Sequence, residues 1–238
     1  MGDASVMEKL RTEITKGEEI RYISHLDYAR VIERAIRRAN LPVAYSEGFN
    51  PHMKISFASA LAVGVTSDAE YLDIELNQAV AAADVQERLA AQLPAGLRLK
   101  KAKYVDQKTP ALMAVVNLAQ YKVIVLLASD SNFAMIEQAV AEFNQALEVL
   151  YTRESPKGKK EIDVKDYVEQ DIAVEQKDDL VTLSMTIKIT PTGSVKPGEV
   201  LKALVENFDL NVVEAGALIH RTGLFIANEK VLLSPIDL

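Results

Sequence analysis

The chain has 238 residues, enough for one large domain or two of ordinary size, and its 49% apolar and 26% charged content is that of a globular protein. A net charge of −7, from 27 Lys and Arg against 34 Asp and Glu, argues against a chain that coats itself in nucleic acid. There is no cysteine, which excludes disulfides, thiolate nucleophiles, cysteine-rich zinc sites and iron–sulfur ligation.

Residues 10–20 read as a strand. Ser24 then opens a helix, with Ser24 and Asp27 in the capping-box pattern, and Asn40, Leu41 and Pro42 end it just after Ala39. Strands are expected over 55–61 and 70–76, the second alternating Tyr71, Asp73 and Glu75 against Leu72, Ile74 and Leu76. A helix over 82–93 closes at Pro94 and Gly96, and 97–105 is a further strand. The order βαββαβ is a ferredoxin-like unit. Residues 107–110 form a linker, after which the order nearly recurs: a strand over 121–127, a helix over 132–147, strands over 148–154 and 180–189, a helix over 196–207 and a strand over 212–226. An insertion at 155–176 interrupts the second unit. The expected class is α+β, with two tandem ferredoxin-like domains at 1–106 and 107–238.

No apolar run approaches the roughly 20 residues that cross a bilayer, so no membrane span is expected. The first eleven residues mix Asp3, Glu8 and Lys9 without an apolar core, so no signal peptide is expected and the cytoplasm is the expected location.

The most specified stretch is the one from Tyr45 to Phe57. Gly48, the Asn50-Pro51 step and His52 build a restricted loop that runs into a strand-like tail at Ile55, Ser56 and Phe57. Such a loop presents Phe49, Asn50, His52 and Lys54 to a ligand. On a helical wheel, Leu26, Ala29, Ile32, Ile36 and Ala39 form the core face of the first helix, while Arg30, Arg34, Arg37 and Arg38 form a stripe on the other side. Guanidinium groups bind phosphate oxygens bidentately; the competing reading is a solvated face neutralised by Glu33 and Glu87. The first 106 residues hold 14 Lys and Arg against 15 Asp and Glu, the remainder 13 against 19, so a basic face on the first half is not swamped by its own surroundings.

His25 lies in the first turn of that helix, where the helix N-terminus favours neutral imidazole, suited to accept a proton, with Tyr22 and Asp27 near in sequence. In the second half, Arg153, Lys157, Lys159 and Lys160 surround Ser155-Pro156 and Gly158, a basic loop able to grip phosphates or to stand as a solvated hairpin tip. Thr190-Pro191-Thr192-Gly193 lacks phosphate-loop spacing, and His220 sits alone in a strand. His25, His52 and His220 come from separate elements without paired spacing, so no metal and no cofactor is expected. No Gly-x-Ser-x-Gly elbow exists to support acyl transfer.

Several stretches resemble one family. They are Tyr22-Ile23-Ser24-His25-Leu26-Asp27, Glu33-Arg34-Ala35 with Leu41-Pro42, Tyr45 through His52, Gly64-Val65, Glu70-Tyr71-Leu72-Asp73, Arg153 through Gly158, and Arg221-Thr222-Gly223. Together they look like the radical SAM-linked proteins of unknown function, across nearly the whole chain. Met53 departs from the proline many members carry there, which implies a slightly looser loop. The resemblance implies an accessory that lies beside, or is fused to, a radical SAM protein, often near a ribonuclease of the E/G type. It implies no catalytic role.

The expected function is a non-catalytic RNA-binding or substrate-presenting module for a radical SAM enzyme. Arg30, Arg34, Arg37 and Arg38 would contact phosphates, and Phe49, Asn50, His52 and Lys54 a nucleotide or other ligand. One alternative is a metal-independent endoribonuclease using His25 or His52 as general base, by fold-level similarity to the CRISPR repeat-processing endoribonucleases; their glycine-rich C-terminal loop is missing here. The other is a protein-binding adaptor without RNA.

Overall fold

The computed structural model describes residues 7–155, 158–228 and 231–238. The class is α+β, with a large, mostly antiparallel sheet and few helices. The chain forms two compact units: Met1–Val116 together with Gly223–Leu238, and Asn117–Thr222. The expected linker at 107–110 therefore lies within the first unit, and the last sixteen residues return to that unit.

In the first unit, β1 (Glu8–Lys16) stops at Gly17, and a 3-10 turn occupies Glu18–Ile20 where continued strand was expected. The Gly17 amide donates to the Gly96 carbonyl at 2.7 Å, an approach a side chain would crowd. α1 (His25–Arg38) starts as its sequence dictates: Ser24 Oγ accepts the Asp27 N–H at 3.1 Å and donates to the Asp27 carboxylate at 2.8 Å. It ends where Asn40 turns left-handed (φ 49°) ahead of Pro42, and Arg88 caps the free carbonyls of Ala39 and Asn40. Ser24→Ala is expected to cost about 1 kcal/mol of stability. The Ser24 hydroxyl is the first cause, and Arg30 the second, holding the Asp27 carboxyl below its usual range, so the change should raise the Asp27 titration midpoint measured by NMR. Because that pKa is depressed on folding, the cap's charge contribution is present above the usual carboxylate range and fades as pH falls through the folded value.

β2 (Ile55–Phe57), β3 (Val65–Leu76), α2 (Ala82–Ala90), β4 (Leu97–Val105) and the single turn α3 (Leu112–Val115) follow. The strand neighbours run β4-β1-β3-β2, all antiparallel, with Leu10 opposite Ile74 and Ile55 also opposite Ile74. One sheet face and the two helices enclose Leu10, Ile14, Ile32, Ile36, Leu72, Ile74, Val85 and Leu89, all fully buried.

The second unit comprises β5 (Leu118–Leu127), α4 (Phe133–Gln145), β6 (Leu150–Ser155), β7 (Gly158–Asp163), β8 (Ala173–Lys177), β9 (Leu180–Lys188), α5 (Pro197–Phe208) and β10 (Val212–Ala227), which is counted with this unit as far as Thr222. Asn132 caps α4 by accepting the Met135 N–H, while Pro197 and Glu199 start α5. Strand neighbours run β10-β5-β9-β8. The strand expected at 148–154 exists as β6, but it pairs with β7 in a separate two-stranded sheet. The place beside β9 is taken by β8, which begins inside the expected insertion and ends one residue past it. Alternation hid this: β8 is short and mostly exposed, so it carries no apolar row. Val123, Val181, Leu183, Ile136, Phe143, Val200 and Leu204 make the core, with Phe143 edge-on to Phe208 at 5.6 Å.

With the separate β6–β7 pair set aside, the second unit shares with the first the succession strand, helix, strand, strand, helix, strand and the neighbour order fourth, first, third, second.

The terminal segment completes the first unit. β11 (Leu232–Leu233) pairs with the end of β10, Ile226 opposite Leu233, and a 3-10 turn spans Pro235–Asp237. It lies on the β1–β3 face opposite the core, where Arg11 and Asp73 form a bidentate pair at 2.7 and 2.9 Å with side chains 0% and 4% exposed. Arg11 also donates to the Pro235 carbonyl at 2.9 Å, and the Tyr71 and Ser234 hydroxyls meet at 3.0 Å. Burial pushes the Tyr71 phenol up to about 12.

Candidate functional site

All four arginines of the stripe on α1 are exposed. Arg30 reaches Asp27 at 3.1 Å, in a pair more than half exposed on both sides, and Arg38 donates to the Gln92 carbonyl at 2.6 Å. Arg34 and Arg37 form no hydrogen bond or ion pair with any described residue, and neither Glu33 nor Glu87 pairs with an arginine of the stripe. Arg30 is paired with Asp27, whose carboxylate also feels the charge of Arg34, so the stripe is a solvated face that Glu33 and Glu87 do not neutralise. The wheel misplaced one residue: Leu26, assigned to the core face, is 69% exposed, and Tyr28 is buried in the first turn instead. At 100° per residue Leu26 falls within about 40° of Arg30 and Arg37, on the exposed side, whereas Tyr28, Ile32, Ala35 and Ile36 share the buried one. Tyr22, 74% exposed, lies under the Arg21 guanidinium at 5.3 Å.

The loop after α1 is pinned at its base and projects at its tip. Tyr45 bridges Met53, the Ser46 N–H donates to the His52 carbonyl at 2.8 Å, and the His52 N–H donates to Ser46 Oγ at 3.0 Å. Gly48, at φ 117°, makes the reversal that an ordinary residue resists. Met53 is buried in the core of the first unit and anchors the base of the loop there. Glu47, Phe49, Asn50, Pro51 and His52 are all exposed, Phe49 completely. Lys54, at the exit, pairs with Glu75 at 3.3 Å.

The two histidine candidates have different surroundings. His25 is half-buried, edge-on to Phe57 at 5.1 Å and stacked near Tyr28 at 6.4 Å, so its ring is part of an aromatic cluster. Asp27, expected to share its site, is committed to Ser24 and Arg30. Among the described residues no three His, Asp or Glu side chains gather as metal ligands. In the second unit, Arg153 donates to both carboxylate oxygens of Glu199 at 2.7 and 2.6 Å and to the Ser194 carbonyl at 2.8 Å, tying β6 to the start of α5. Lys159 pairs with Glu154 at 2.6 Å, and Lys157 lies outside the described residues. No helix among the described residues is long and apolar enough to cross a membrane. The sequence carries no sign of a cavity on β5 and β9, whose lining residues are scattered from 120 to 222, so no local signal marks them.

Chains of two solved complexes show distant likeness. One is a chain of a Cbf5-Nop10-Gar1 complex, with TM-score 0.48 and 11% identity over 97% of this chain and 53% of that one. The other is from an archaeal box H/ACA sRNP Nop10-Cbf5 complex, with TM-score 0.42 and 10% identity over 90% and 46%. This chain spans about half the length of those two. A protein of unknown function from Galdieria sulphuraria matches with TM-score 0.27 and 13% identity, over 91% and 98%. At these values the likenesses carry no functional inference. No curated protein matches the chain significantly. The model of one family matches residues 9–197, and the chain belongs to that family, described as an uncharacterized protein conserved in bacteria (DUF2344).

Proposed function

We propose that this protein is a cytoplasmic, non-catalytic module that binds RNA and presents it, or another substrate, to a radical SAM enzyme. The radical SAM partner comes from the family resemblance of the motifs. The RNA comes from α1: its arginines at positions 30, 34, 37 and 38 are exposed, and Arg34 and Arg37 form no ion pair with any described residue. That is the observation that carries the reading, because unneutralised guanidinium groups in a row are what a phosphate backbone requires. The exposed Phe49 offers a ring face for base stacking, with Asn50, His52 and Lys54 adjoining it in the chain. We read both units as ferredoxin-like, supported by their shared succession and neighbour order, with the repeat boundary at 106/107, between β4 and α3. The nuclease alternative loses ground at His25, whose ring is occupied by Phe57 and Tyr28. Arg153 serves its own unit through Glu199, so the reading rests on the first unit.

The test is anisotropy of labelled single-stranded RNA across a salt series. Phe49→Ala should weaken binding by about 1–3 kcal/mol, the worth of one stacked base, and leave thermal stability unchanged because the ring touches only solvent. Failure of the parent protein to bind any RNA at low salt would refute the reading and favour the adaptor. Cross-linked affinity capture from native cells, with and without ribonuclease, then reports whether a radical SAM protein and a defined RNA are recovered together.

A further inference from the structure

A cavity of about 310 Å³ opens on β5 and β9 of the second unit, at the lower end of the roughly 300–1,000 Å³ range of small-molecule sites. It sits on outward strand positions: Gln120 lies opposite Thr186, and Lys122 opposite Ser184. Its wall comes from an irregularity at the sheet edge. Val168 bridges Ile187 and the Glu169 N–H donates to the Thr186 carbonyl at 2.9 Å, but Gln170 and Asp171 then swing out before Ala173 rejoins opposite Ser184. The detour is held rigidly. Ile172 is buried, and the Asn144 side chain binds both its N–H (2.9 Å) and its carbonyl (3.0 Å). Bulges of this kind re-aim side chains beside binding sites.

The polar groups around the cavity are largely uncommitted. Thr186 Oγ1 donates to Gln170 Oε1 at 3.3 Å, which leaves the Gln170 amide N–H donors for something else. Gln120, Lys122, Asp171 and Ser184 form no side-chain hydrogen bond or ion pair with any described residue. Lys122 and Asp171 carry opposite charges on one cavity without pairing, so the cavity separates them.

We infer that this cavity binds a small zwitterion of amino-acid size, its carboxylate at Lys122 and its ammonium at Asp171, with Gln120, Gln170 and Ser184 taking the remaining polar atoms. An anion alone would meet Asp171, and a cation alone Lys122. A nucleotide would want a ring face worth about 1–3 kcal/mol per stacked base. The aromatic residue of the lining, Tyr121, is buried, its hydroxyl bound by Arg221 at 3.0 and 3.1 Å.

The experiment is calorimetric titration and thermal-shift measurement on the full chain with glycine, glutamine, glutamate, lysine and diglycine, beside acetate, methylammonium and adenosine monophosphate. At least one zwitterion should bind saturably where acetate, methylammonium and the nucleotide do not. Lys122→Gln and Asp171→Asn, both at exposed positions that the fold tolerates, should each weaken that binding about tenfold or more, the worth of a charged hydrogen bond. Arg34→Gln/Arg37→Gln should leave it untouched, which separates this site from the RNA reading. The inference is overturned if no zwitterion binds at about 20 mM, beyond the weak end of specific affinity. It is equally overturned if binding ignores both charge-removing changes, or if the nucleotide binds with the same dependence on them.

Discussion

Asp73→Ala should destabilise the first unit by about 3–5 kcal/mol, the largest stability effect expected from a single change in this chain. Arg11 has no exposed side-chain surface, and Asp73 meets it with two short bonds. Removing the carboxylate leaves a guanidinium buried, with the Pro235 carbonyl as the partner that remains from this arrangement. The cost comes from that stranded charge and not from the pair's own net worth, since buried pairs often do no better than apolar groups of the same shape. The double change Arg11→Met/Asp73→Leu should therefore recover most of the loss. Urea denaturation of the parent and the two variants decides it. A single-variant cost below about 1 kcal/mol would mean that the face is not closed by Pro235–Asp237 as described.

Arg34→Gln/Arg37→Gln should lower affinity for single-stranded RNA by about ten- to a hundredfold at low salt, because two charge-assisted bonds to phosphate disappear. The slope of log affinity against log salt should flatten by about 1.4, at roughly 0.7 for each phosphate no longer neutralised. Neutral glutamine is the better probe than glutamate. A carboxylate at position 37, in the last turn of α1, would oppose the helix dipole and confuse binding with stability. Both side chains are exposed and form no hydrogen bond or ion pair with a described residue, so melting should barely change. An unchanged slope with unchanged affinity would remove RNA from the stripe and leave a protein-binding surface as the reading to pursue.

The helix start at Ser24 was legible because a cap is a local event: a hydroxyl, a backbone N–H and a carboxylate within four residues. The arginine stripe was legible for a similar reason, since helical periodicity alone puts those side chains on one face. The pairing of β8 was not. A short, exposed edge strand has no apolar alternation, and β6, which does read as a strand, takes β7 as its partner. Leu26 was misjudged because its angle on the wheel falls beside Arg30 and Arg37, away from the side that Tyr28, Ile32 and Ile36 bury.

The sequence by itself determined the α+β class, the main helices and strands of the first unit, the loop from Tyr45 to Met53 and the charge of α1, because each follows from interactions within a few residues or from a simple period. Only the tertiary structure decided that Arg11 meets Asp73 across 62 residues beneath the segment at Pro235, that Arg34 and Arg37 stay unpaired, and that Lys122 and Asp171 line one cavity. Those are matters of strand register and chain return, and register sets which distant side chains share a face.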